Sequence, residues 1–162
     1  MENISLNKQV KLSPHFTLGE MCKTSVNSLD GNIPSPEDIE NLKRLCPWLE
    51  ELRARYNKRY VHPEGATPEE PIIITSGYRS PEVNRCVGGA YSSNHLTGCA
   101  VDIRCAGVEQ AIRYAVILLD IADEWKQDYD ELLVEHNRKG HYWVHFAVKP
   151  KDNRRRTMFI QT

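Results

Sequence analysis

No run of apolar residues in this 162-residue chain is long enough to cross a bilayer, which excludes a membrane-spanning helix. Charge of one sign is missing too. The formal net charge is −1, so composition gives no general case for nucleic-acid binding, although Arg154-Arg155-Arg156 forms a local basic cluster. That cluster is read as a solvated end flanking a last short strand, with contact to an anionic polymer as the lesser reading. The chain has 5 cysteines, Cys22, Cys46, Cys86, Cys99 and Cys105, and no Cys-x-x-Cys pair. An odd number at irregular spacing fits reduced thiols better than a disulfide framework. Internal repeats and low-complexity segments are absent. The first residues, Met1-Glu2-Asn3-Ile4-Ser5-Leu6-Asn7-Lys8, lack the charged-then-apolar order of a secretory signal, so the product is expected to stay in the cytoplasm where it is made.

What is present suits one domain, 1–162, with a real core: 40% of residues are hydrophobic and 27% charged. Thr17-Leu18-Gly19-Glu20 has the form of a capping box and opens a short helix. Ser35-Pro36-Glu37-Asp38 places a cap, a first-turn proline and two acids before Ile39, Leu42, Leu45, Cys46, Leu49 and Leu52 at helical spacing. Pro47 is expected to kink or split that helix. Residues 61–71 read as a proline-rich, acidic surface loop before a strand, Ile72-Ile73-Ile74-Thr75. Ser80-Pro81 caps a short helix ended by Gly88-Gly89, and residues 108–124 form a second long helix with Ala111, Ala115, Leu118 and Leu119 inward.

Chemistry concentrates in Ser93-Asn94-His95-Leu96-Thr97-Gly98-Cys99-Ala100-Val101-Asp102 and in Trp143-Val144-His145. Thr97-Gly98 reads as a turn and Ala100-Val101-Asp102-Ile103 as a strand start, so the imidazole before the turn and the carboxylate after it converge. His145 lies in the β-rich run Tyr142–Val148, where His141, Trp143, His145 and Ala147 share one face. Two imidazoles and a carboxylate are three ligands for a metal with an open fourth position. Strand alternation sets Cys99 on the opposite face from Asp102, buried and not a ligand.

The pattern Ser-x-His-x-x-Gly-x-Ala-x-Asp followed by Trp-Val-His resembles the zinc peptidases that cut bacterial cell-wall peptides. That family includes D-alanyl-D-alanine carboxypeptidases, D-Ala-D-Ala dipeptidases and phage endolysins, and shares its fold with the Hedgehog signalling domain. The resemblance extends to Phe16–Glu20, to Ile74–Pro81 and to the strand Leu132–Glu135. It implies an α+β fold, with a small antiparallel sheet carrying the metal and helices packed on it. It also implies one zinc ion per chain on His95, Asp102 and His145, and a peptidoglycan stem peptide as substrate for a monomer.

Many relatives carry an acid three residues before the last histidine, where this chain has Tyr142. Glu135 resembles the acid of other branches and of Hedgehog, and is the candidate general base. It faces the metal only if the hairpin loop holds an odd number of residues, pairing Glu135 with Trp143; an even loop pairs it with Tyr142 and turns it away. The resemblance gives Arg79 the role of binding substrate charge or the developing oxyanion. Ser93, His141 and Tyr78 are candidates for contacting substrate or orienting a ligand, with His136 weaker than His141. A phage or prophage endolysin suits a chain without an export signal, and a cytoplasmic dipeptidase acting on wall fragments is the nearest alternative. The reading from a different class is an inactive, zinc-stabilised binding module.

Overall fold

The computed structural model describes residues 7–62, 64 and 68–162. Residues 63 and 65–67 of the expected acidic loop lie outside the described residues. Two short strands, β1 (Lys11–Ser13) and β2 (Phe16–Thr17), lead into α1 (Leu18–Met21). The Thr17 hydroxyl accepts from the Glu20 N–H and the Glu20 carboxylate accepts from the Thr17 N–H, closing the capping box.

Helix α2 (Pro36–Tyr56) starts at the same kind of reciprocal cap between Ser35 and Asp38. Pro47 lies inside the helix and does not split it, which removes one of the two expected outcomes. Proline removes the hydrogen bond to the carbonyl one turn earlier, that of Lys43; both residues are exposed, so water can satisfy the freed oxygen. Leu42, Leu45, Cys46, Leu49 and Leu52 meanwhile bury the opposite side completely or nearly so. A π-helical turn, Asn57–Val61, continues the element.

The chain then forms β3 (Ile74–Ser76), α3 (Pro81–Cys86), a 3₁₀ turn (Asn94–Thr97), β4 (Ala100–Cys105), α4 (Val108–Trp125), β5 (Glu131–His136), β6 (Tyr142–Ala147) and β7 (Arg156–Gln161). The last five strands make one sheet in the order β3-β4-β6-β5-β7. The expected sheet is antiparallel; the observed one is mixed, because β7 runs parallel to β5. Asp130 explains the placement. Its backbone carbonyl accepts from Arg156 and its carboxylate from the Arg154 backbone N–H and guanidinium, which carries the chain past β6 to the free edge of β5.

Cross-strand partners share a face, and the register divides the sheet into two unlike surfaces. One surface carries Val101, Ile103, Val134, Leu132, Val144 and Phe146, all in the core beneath α2 and α4. Trp48 of α2 packs on Phe146 with ring centroids 5.2 Å apart. The other surface carries Asp102, Arg104, Trp143, His145, Glu131 and Glu135, and because most of these are polar no long helix is needed to cover it. Among the described residues no helix is long and apolar enough to cross a membrane.

Candidate metal centre

Each of the three candidate ligands is set by a local device. His95 sits in the 3₁₀ turn, where the Ser93 hydroxyl accepts from the His95 N–H at 3.2 Å. Gly98 ends that turn at φ 71°, and a Cβ there would lie 2.5 Å from the Asp38 carbonyl oxygen, so both conformation and space require glycine. The chain reverses into β4, and Asp102 then stands directly opposite His145 of β6.

The geometry of these donors fits a metal. His145 Nδ1 is 3.1 Å and His95 Nε2 3.3 Å from Asp102 Oδ1. One ligand atom from each of the three residues lies within 4.8 Å of the others. Tetrahedral bonds of about 2.0–2.1 Å put neighbouring donors roughly 3.3–3.4 Å apart, close to these separations. His95, Asp102 and His145 are 2%, 8% and 8% exposed, so an ion here would be largely shielded from water.

Outer contacts decide which nitrogen faces the cluster. His95 Nδ1 lies 2.7 Å from the Gly77 carbonyl, an acceptor only, so that nitrogen carries the proton and Nε2 is free to ligate. His145 is turned the other way. Its Nε2 lies 3.2 Å from Glu131 Oε1, which leaves Nδ1 for the cluster. Arg79 donates to Asp102 Oδ2 at 3.0 Å and to the Ser76 hydroxyl at 2.9 Å, and holds the carboxylate with Oδ1 toward the imidazoles.

Glu131 was not among the residues singled out from sequence. The alternation that places Glu135 on this face also places Glu131 there, so the signal was available in the strand Glu131-Leu132-Leu133-Val134-Glu135. Asn94 adds a second tie, donating to both Glu131 and Asp130 at 2.8 Å. The hydrogen bond with His145 is the main reason the Glu131 carboxyl is held below its ordinary pKa. Replacing Glu131 by alanine is expected to weaken metal affinity by about 10–100-fold, read by competition with a chelating dye. Unchanged affinity would show that His145 is oriented without it.

Glu135 also lines the cavity, about 350 Å³ in volume, that holds the cluster. The loop 137–141 has an odd number of residues, with Gly140 at φ 82°, and Glu135 is paired with Trp143. Burial raises the Glu135 pKa above its usual value, opposed by the nearby His145 charge and by hydrogen bonding from the Trp143 side chain. A carboxyl beside the cluster with its proton affinity raised in this way is the kind of group that proton transfer at the site would need.

Two candidates lie elsewhere. Tyr78 is buried in the core, its N–H bonded to the Met21 carbonyl and its own carbonyl accepting from Asn32, and burial lifts the phenol pKa to about 12. His141 is exposed and lines a separate cavity of about 450 Å³. His136 stacks on Tyr142 with centroids 5.1 Å apart. Cys99 is buried, as alternation requires. The arginine cluster is exposed and flanks the last strand, as expected, and it is also ion-paired. Arg154 pairs with Asp130, Arg155 with Asp123 and Asp128, and Arg156 with Glu131, and Arg154 and Arg156 border the site cavity.

In the metal-free chain burial opposes a charged His145, but hydrogen bonds with Asp102 and Glu131 outweigh it and raise its pKa to about 9. The folded value exceeds the unfolded one of about 6.5, so this stabilisation is complete below about 6.5 and is lost as pH rises toward 9. Buried Cys22 and Cys105, whose thiols are pushed up to about 12, add a loss only where unfolded thiols ionise, near 8.5. Chelator-treated protein should therefore lose on the order of 2 kcal/mol between about pH 6.5 and 8.5 in denaturant titrations, a loss that metal prevents. A flat profile over that window would contradict the His145 environment described.

A family model for Peptidase M15 matches residues 14–123, more than half of the chain. The chain belongs to the Peptidase M15 family. The match contains His95, Asp102 and Arg79, whereas Glu131, Glu135 and His145 of this M15 chain lie beyond it and are joined to them by the sheet register. No curated protein sequence matches the chain.

Proposed function

We propose that the chain is a zinc metallopeptidase that hydrolyses an amide in the peptide stem of bacterial peptidoglycan, acting as a single domain. The observation that supports this best is the convergence of His95 Nε2, Asp102 Oδ1 and His145 Nδ1 with Glu135 on the same face of one sheet. Imidazole and carboxylate donors suit zinc, and family membership agrees. Zinc bound there supplies Lewis acidity and lowers the pKa of a coordinated water toward neutrality.

The chain's own groups do the rest. Glu135 takes the proton from the attacking water and delivers it to the departing amine, a shuttle that its raised pKa favours. Arg79 holds Asp102 through one guanidinium nitrogen and through its position beside the cavity can stabilise the oxyanion that develops at the scissile carbonyl. Ser93 fixes the His95 backbone; it has no base of its own and needs no nucleophilic role.

The test is release of amino groups from purified peptidoglycan by zinc-loaded protein, followed by mass spectrometry of the fragments. Fragment masses identify the bond and separate an endolysin-like endopeptidase from a D,D-carboxypeptidase-like enzyme. Absence of release from several wall types would overturn the proposal and favour a zinc-stabilised binding module.

A further inference from the structure

A second cavity, of about 450 Å³, lies where β4 and β6 end; Arg104 and Trp143 line it from the metal-bearing surface of the sheet, and Cys105, Tyr142 and the loop residues Gly140 and His141 close it. Arg104 of β4 and Trp143 of β6 are cross-strand partners, each two residues along its strand from Asp102 and His145. Two residues of strand span about 7 Å, so this pair stands one step from the cluster on the same face. Trp143 also opposes Glu135 on its other side, which makes one row of carboxylate, indole and guanidinium across β5, β6 and β4. Thr75 and His141 complete the polar lining.

Arg104 differs from the other arginines of this surface. Arg79, Arg154 and Arg156 are each paired with a carboxylate of the chain. Arg104 is exposed and, among the described residues, has no carboxylate within 4.0 Å. Glu70 borders an adjoining cavity that Arg104 also lines, but no ion pair joins them. A free guanidinium beside a half-buried indole offers a carboxylate a planar fork of donors and its carbon chain an apolar wall. One unpaired cation is too little for a polyanion, which gains affinity from many.

We propose that the Arg104–Trp143 cavity is a specificity subsite that binds a carboxylate-bearing residue of the substrate peptide, adjacent to the bond being cut. The subsite rests on the peptidase reading for its role in turnover. Its chemistry requires that an acidic side chain or terminus at one position flanking the scissile bond be recognised as a carboxylate and not as an amide.

The experiment compares zinc-loaded wild type with Arg104→Gln and Arg104→Lys on pairs of stem-type peptides, each pair differing only by carboxylate or carboxamide at one flanking position. Wild type should favour the acid at one position by about 10-fold or more in kcat/KM, a size expected for a charge-assisted hydrogen bond. Arg104→Gln should bring the ratio close to one, mainly through the KM of the acid peptide, and Arg104→Lys should retain part of the preference. An unchanged ratio in Arg104→Gln would overturn the subsite and leave the peptidase intact.

If wild type cleaves no peptide, the peptidase reading fails and the same pairs are titrated against zinc-loaded protein by NMR of the Trp143 indole N–H. A shift caused by the acid peptide in wild type but not in Arg104→Gln upholds the subsite. Equal shifts by acid and amide, or none, overturn it.

Discussion

Replacing Glu135 by glutamine is expected to lower kcat on wall peptides by about 10²–10⁴-fold while one metal ion per chain remains bound. Glutamine keeps the size of the side chain, but it cannot take a proton. Glu135 is not among the three clustered donors, so its loss should leave metal content unaltered. The carboxyl occupies a partly buried place opposite Trp143, where burial raises its pKa and so brings proton affinity nearer to the working pH. Stopped assays of amine release, with metal content measured on the same sample, check the expectation. Full activity in Glu135→Gln would remove it as the base and turn attention to Glu131, the other carboxylate of β5 on this face.

Replacing His145 by alanine should have a different signature, loss of metal together with loss of activity. One of three converging donors disappears, and affinity should fall by on the order of 10³-fold or more, beyond the 10–100-fold expected for an outer partner such as Glu131. The variant should still fold, because Asp102 keeps Arg79 and His95 as partners and the core face of β6 is untouched. Equilibrium dialysis against a zinc buffer separates the cases. Retention of wild-type affinity would mean that His145 Nδ1 is not a ligand and that the cluster holds metal in another way. Together the two variants divide binding from proton transfer: one keeps the ion and loses the rate, the other loses both.

Much of this site was legible in the order of residues because its parts are local. The turn at Thr97-Gly98 requires only a left-handed glycine to bring His95 over Asp102. The facing of Glu135 follows from strand alternation once the loop 137–141 is known to hold an odd number of residues. Alternation also sets Glu131 on this face, but its part as the acceptor that turns His145 depends on a contact across 14 residues that spacing alone does not reveal. The parallel pairing of β7 depends on Asp130 gripping Arg154 across 24 residues, a contact that no periodicity encodes. Tyr78 shows the converse. It lies in a segment rich in site residues, yet its backbone is tied to Met21 and Asn32 and its ring is buried in the core. Pro47 was read from its own chemistry alone, whereas the continuity of α2 rests on the exposure of Lys43 and Pro47 and the burial of their neighbours.

The most direct test is to titrate zinc into chelator-treated protein while following amino-group release from purified peptidoglycan. Release should rise in proportion to zinc and reach a plateau at one ion per chain. Binding of one ion per chain with no release from any wall type would contradict it.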